Sequence, residues 1–434
     1  MFYINRFQKN MLCNHESTFH MIIKDIDHHL HEYVVAKIGV DETKYKQFLE
    51  ETLAELNHDG DTFVTYSVSV SGAQFSEYKK LNKLLDHVLR EIVNNYFEDN
   101  RIREIYRLDY QLETILKEAG LIPYSVGMYR PDILLDTAGQ AKICEIGCRY
   151  PINGWMVSYY LNTIMNHLIP LEDSSNQSFE KLEHLVSNLA QEFNKAYPIF
   201  YIHQKEKGTE AYLLFKELEK LGYTIKNSSP SALVLEHEEL KIGNQVATQF
   251  IIEMDREELK NIPIEILKKM MASKMTINDV RSTILVHDKR ILSVLYNEEI
   301  MLDYMSADEY AFLKKYLIPS YTLHSEEIRN TLKTSKENWI LKKTSGGRGI
   351  DMYVKNECAP ELWETLLDTN WKDYMVQEYV SQQEFQLEDT KVNIVGMLLA
   401  YNEEVYGLGV YRGSEKSIIN VHSGACILPS VLKL

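Results

Sequence analysis

Two short apolar runs, RPDILLD from Arg130 and AKICEI from Ala141, flank the turn signal Thr137-Ala138-Gly139, and this spacing predicts a β-hairpin. The hairpin carries charge inside its apolar pattern. Arg130, Asp132 and Glu145 form an R-x-D followed thirteen residues later by E, so folding at the turn brings two carboxylates together across neighbouring strands. Acids in so apolar a hairpin need a compensating cation. Two hard oxygen ligands also suit Mg2+, whose shell phosphates can complete. The alternative is a cross-strand pair of exposed acids offset by Arg130 and Arg149.

The hairpin fixes the reading of what surrounds it. Residues 1–118 are charged and read as mostly helical, with apolar residues at helical intervals in KYKQFLEETLAELN and FSEYKKLNKLLDHVLREIVNNYF. Asp27, His28, His29 and His31 match no zinc spacing and read as a solvated helical face. Within 119–275, PIFYIHQ, TEAYLLFKELEKLG and YTIK make a β-α-β unit, Gly222 stopping its helix. Residues 276–434 hold the helix HDKRILSVLYN and the strands NWILKK, IDMYV and YMVQEYV, then a β-rich run; an antiparallel sheet lobe packed with helices is expected. The fold class is α+β or α/β, with three regions bounded as above.

Composition narrows the partners. With 47 Lys and Arg against 63 Asp and Glu, the formal charge is -16, which argues against nucleic acid. No run reaches the ~18 to 20 apolar residues of a membrane span, and the N-terminus lacks the pattern of a signal peptide. Cys13, Cys144, Cys148, Cys358 and Cys426 are scattered, odd in number and without C-x-x-C spacing, so they read as free thiols in a reducing compartment. A cytoplasmic protein is expected.

Thr344 to Gly349, TSGGRG, is a glycine-rich loop without the GK[ST] ending of a phosphate-binding Walker loop, and the alternation after it predicts a strand. It therefore caps a hairpin. Its glycines let backbone amides approach phosphate oxygens, and Arg348 adds a cation. Lys342 and Lys343 feed the loop from one strand, so only one of them can face a bound phosphate.

Taken in order, YRPDILLDTAGQAKICEIGCRYP, HDKRILSVLYN, KKTSGGRGI, MVQEYV and the C-terminal run GMLLAYNEEVYGLGVYRGSEKSIINVHSGACILP resemble the circularly permuted ATP-grasp enzymes, most closely the synthetase domain of glutathionylspermidine synthetase. The resemblance covers roughly residues 125 to 155 and 280 to 434. It implies an ATP-grasp fold with a pre-ATP-grasp-like β-α-β unit, and ATP and Mg2+ as cofactors. Asp132 and Glu145 would bind the metal, and Arg130 a phosphate or the acyl group. Lys289 and Lys343 would hold ATP phosphates, Lys343 being preferred to Lys342 for its distance to Gly347 and Arg348, and Gly346 would join these two in the lid. Gln377 and Glu378 would lie at adenine or ribose, and Arg412 would stabilise the transferred phosphoryl group.

One departure stands at Gly147, where the family usually places an asparagine two residues after the glutamate. Either Asn153 or a water replaces that ligand, or a second metal position is weakened and Arg149 neutralises phosphate charge instead. The implied activity is ADP-forming ligation of a small-molecule or peptide carboxylate to an amine or thiol through an acyl phosphate, with no nucleic-acid or membrane partner. His203, His287 and His422 are candidate proton acceptors for the nucleophile. A phosphotransferase and a nucleotide-binding module without turnover are the competing readings.

Overall fold

The computed structural model describes residues 33–53, 56, 62–168, 176–206, 209–273, 277–347 and 349–433. The Asp27–His31 cluster, Cys13 and Arg348 lie outside the described residues.

The expected hairpin is Met128–Leu135 paired antiparallel with Ala141–Gly147. Asp136 closes it: its Oδ1 accepts from the N–H groups of Ala138 and Gln140, both at 2.9 Å, and Gly139 takes φ +78°. A side-chain oxygen thus replaces a backbone acceptor at the tightest point of the turn. Met128–Leu135 also pairs with the long strand Thr390–Tyr401, so a segment of the middle region and one of the last region share a seven-stranded sheet. Tyr411–Ser414 follows on the far side of the long strand, then Cys426–Leu428. Gly396 permits this packing, because a Cβ there would lie 2.3 Å from the Tyr411 ring.

A second, four-stranded antiparallel sheet runs Ser320–Thr322, Tyr374–Glu378, Trp339–Lys343, Met352–Val354. Leu323, Leu341, Trp363, Leu367 and Val376 form its core with the helices Glu326–Thr334 and Pro360–Asp368. The sheets meet where Ile143 N–H donates to the Tyr316 carbonyl at 2.7 Å, shortly before the strand Ser320–Thr322. Leu134, Ile318, Val395 and Ile419 make a small apolar cluster there.

The β-α-β unit is Ile199–His203, helix Thr209–Lys220 and Ile225–Ser228, with Phe250–Glu253 added in parallel on the other side of the first strand. The first region contributes more than helices. Its strand Tyr66–Ser71 runs parallel to Ser430–Lys433 near the C-terminus. Ser71 Oγ then caps the 23-residue helix Gly72–Asn94. On that helix's buried face, Asn82 accepts from Tyr129 Oη at 2.6 Å and donates to the Asn402 carbonyl at 3.1 Å. These bonds satisfy an amide that would otherwise be costly to bury, and they fix the helix against both neighbouring strands.

The expected helix over HDKRILSVLYN is shorter than its sequence pattern: a π-helical turn spans Ser282–Val286 and the α-helix runs only over Ile291–Tyr296. Lys289 sits between them, where its N–H donates to the Thr344 carbonyl at 3.0 Å. Among the described residues no helix is long and apolar enough to cross a membrane, and Cys144, Cys148, Cys358 and Cys426 are free.

Candidate functional site

Antiparallel register sets Asp132 opposite Glu145 and Arg130 opposite Gly147, which puts all three charged side chains on one face of the hairpin. The register then shifts, leaving Cys144 without a partner. Asp132 is clasped from two sides: Arg130 Nε lies 3.3 Å from Oδ1, and Arg412 Nη2 lies 2.6 Å from Oδ2. Glu145 is paired with Lys289 Nζ at 3.3 Å. Burial alone would raise the Glu145 pKa, but the neighbouring cations, Lys289 foremost, outweigh it and hold the carboxyl below the usual carboxylate range.

The lysine strand resolves the choice between its two candidates. Lys342 is buried, and its Nζ donates to the Cys144 carbonyl at 2.8 Å and to Gln377 Oε1 at 2.6 Å. An ammonium has three N–H groups, so one remains for the cleft. Lys343 points to the other side of the strand and pairs with Asp351 at 3.0 Å. The side chain directed at the acidic pair is therefore Lys342, and the preference for Lys343 is corrected. Gln377 is held in turn by Nε2 donating to Ser320 Oγ at 2.9 Å, whereas Glu378 is exposed at the cavity rim.

Lys289 connects the acids to the lid, since its Nζ also donates to the Gly346 carbonyl at 3.1 Å. Gly346 and Gly349 take φ +110° and +69°, left-handed conformations that side chains disfavour.

A cavity of about 320 Å³ opens between the two sheets. One end is apolar, formed by Leu134, Ile318, Ile340, Val380, Val395 and Ile419; the middle is charged, with Arg130, Asp132, Glu145, Lys342 and Arg412. The far end carries Glu210 and Glu253, which sequence reasoning missed. Glu210 accepts from the N–H groups of Gly154, Met156 and Val157 at 2.7, 3.1 and 3.2 Å, capping the helix Trp155–Leu168. Burial pushes the Glu253 carboxyl up to about 8, where it accepts from Tyr201 Oη at 2.8 Å. Its only sequence signal was an acid ending the apolar run FIIE.

A second cavity of about 310 Å³ lies beyond the glycine-rich loop, lined by Arg256, Asp288, Lys343 and Asp351 among others. Arg149, His287 and Gly347 line both. Of the three histidines, His203 faces the Glu206 carbonyl through Nδ1 at 2.8 Å, and His422 lies in the short helical turn Val421–Ser423 at the first cavity. His287 accepts from the Cys148 N–H through Nδ1, at 3.3 Å.

Among the described residues no group of three or more His, Cys, Asp or Glu side chains could hold a metal ion. The place where a side chain at position 147 would project is filled, since a Cβ on Gly147 would lie 3.0 Å from Arg130 Nη2. Nor is Asn153 turned to that role on its backbone, for its carbonyl accepts from Arg130 Nη1. Asp132 and Glu145 both line the cavity, and a carboxylate accepts more bonds than the ion pairs each one makes. The donor set thus fits an ion held chiefly by a nucleotide's phosphates, as Mg2+ commonly is, and not an all-protein cage.

Comparison with known proteins adds three findings. The model of the AnkG N-terminal domain family matches residues 81–285. A protein of Aspergillus thermomutatus described as the ATP-grasp enzyme ankG is 23% identical over 430 residues, covering 85% of this chain and 88% of its own length. In structure, the glutathione synthetase-like effector GSS30 from Globodera pallida, solved in its apo form, superposes with a TM-score of 0.54 over 90% of this chain and 96% of its own, at 12% identity. The chain is thus similar in sequence to a protein described as an ATP-grasp enzyme, and it shares the overall fold of GSS30.

Proposed function

We propose that this protein is an ATP-dependent ligase that joins a carboxylate to an amine or thiol through an acyl phosphate, releasing ADP and phosphate. The observation that carries the reading is one cavity in which an apolar slot between two sheets leads into a carboxylate pair surrounded by Lys342, Lys289, Arg130 and Arg412. Adenine would occupy the slot in this reading, with Glu378 and the backbone beside Gln377 at its edge. The names of the relatives support an ATP-dependent enzyme in general, and the carboxylate–amine assignment is our extension. We also read the motif order, acidic hairpin first, as a circular permutation.

In this scheme a substrate carboxylate oxygen attacks the γ-phosphorus while the bond to the ADP oxygen breaks. The nucleophile then attacks the acyl carbon, and phosphate leaves. Lys289, Lys342 and the amides of the glycine-rich loop would hold the phosphates. Asp132 and Glu145 would hold Mg2+, which when bound neutralises phosphate charge and orients the phosphates. Arg412 would meet charge that develops on the transferred group, and Arg130 would hold the acyl oxygen. No nucleophilic side chain is required, because alignment and charge stabilisation supply the catalysis.

A screen of carboxylic acids against amines and thiols, read as ADP release, tests this. The expected result is release that needs both partners. Release driven by an alcohol alone would replace the ligase with a phosphotransferase, and tight ATP binding with no release from any pair would leave a module without turnover.

A further inference from the structure

The three residues that line both cavities, Arg149, His287 and Gly347, form a collar at their junction. His287 is only 8% exposed, and its Nε2 has no hydrogen-bond partner. Its tautomer follows from its other nitrogen. The Cys148 backbone N–H can only donate, so Nδ1 must be the acceptor, and a neutral ring then carries its proton on Nε2. Burial, reinforced by the charges of Arg149 and Lys289, holds the imidazole neutral by pushing its pKa down to about 3. The sequence reading of His287 as a proton acceptor therefore reverses, because its one nitrogen without a partner is a donor.

A second donor points the same way. Arg149 stacks on Tyr150, with its guanidinium carbon 4.3 Å from the ring centre, and its buried Nε is also without a partner. Its Nη2 approaches Gly347 so closely that a Cβ there would lie 3.1 Å away. The nearby acids are already neutralised, Glu145 by Lys289 and Asp288 by Arg256 and Arg290. Buried donors left unmade are costly, and one of these two belongs to a guanidinium, so the missing acceptor is anionic.

We propose that this junction is an anion site in which the Nε2–H of His287 donates to an anionic oxygen, either of the γ-phosphoryl group of ATP or of the anion that separates from ADP. The inference rests on the ATP-dependent reading of the cleft. It adds a hydrogen-bond donor to that cleft and involves no covalent step.

Two substitutions separate donor from scaffold. His287→Asn can keep the bond to the Cys148 N–H through its amide oxygen but loses the donor at Nε2. His287→Gln can place an amide N–H where Nε2 stands. Calorimetric titration would measure MgATP binding to the free protein, and inorganic phosphate binding to its MgADP complex. We expect His287→Asn to weaken at least one of these by about 10-fold or more, and His287→Gln to stay within about threefold of the wild type. Loss in the MgATP arm assigns the oxygen to the nucleotide, and loss in the phosphate arm alone assigns it to the separated anion. If His287→Asn binds both probes like the wild type, or His287→Gln is the weaker variant, the donor role is overturned and His287 is only scaffold. A wild-type protein that binds neither probe overturns the ATP reading as well.

Discussion

The two cavities that meet at the glycine-rich loop are alike in size, about 320 and 310 Å³, and differ in how their charges are spent. In the second, Lys343 is matched by Asp351, Arg256 shares Asp288 with Arg290, and Asp255 and Glu257 add two more acids to the lining. In the first, Asp132 is shared by two arginines, Lys342 leans only on a carbonyl and an amide oxygen, and the Arg412 Nε has no partner. Local pairing accounts for the second set without a ligand. The first set has cationic capacity left over, and an anion with several oxygens is what would use it. Two neighbouring residues of one strand thus line different cavities.

Exchanging the lysines one at a time breaks this contrast most sharply. Lys342→Met should lower kcat/KM for ATP by about 10³-fold, because it removes a buried cation from the phosphate path. Arg412→Ala should lower kcat by about 10²-fold while the ATP Kd stays within about threefold, if its proposed role is confined to the transition state. Equal losses in binding and turnover would move Arg412 to the ground state.

A third, subtler effect concerns the Glu253 end. Unfolded, this acid loses its proton near pH 4.3; folded, it keeps it until about pH 8. The native state therefore binds the extra proton across that window, and stability should fall as pH rises through it, by at most about 1.4 kcal/mol per pH unit. Glu253→Gln should flatten that slope in denaturant unfolding between pH 5 and pH 8; an unchanged slope would mean that Glu253 is ionised when folded. Smallest of all, Lys343→Met should change kcat/KM less than about threefold. A loss comparable to that of Lys342→Met would return the phosphate role to Lys343.

Those same lysines mark where the sequence stops being informative. Alternation along a strand says that only one of Lys342 and Lys343 can face the acids. Which one does depends on partners far away in the chain: the Cys144 carbonyl, 198 residues earlier, and Gln377, 35 residues later. The acidic hairpin was legible because its turn, its register and its charges all lie within twenty residues of sequence. Gly147 was legible only as a departure, since the guanidinium that fills its place comes from the opposite strand. Glu210 and Glu253 carried almost no signal, because a helix-opening acid and a strand-ending acid are ordinary until tertiary packing buries them beside a cavity.

The central claim is that the first cavity activates a carboxylate by phosphorylation, and oxygen tracing tests it most directly. A carboxylic acid that supports ADP release with an amine or thiol would be labelled with 18O in its carboxyl group, and the released phosphate analysed by mass spectrometry. An acyl phosphate transfers one carboxyl oxygen to phosphate, so the account predicts one 18O atom per phosphate formed. Phosphate free of label, with both labelled oxygens retained on the acid or its product, would contradict it.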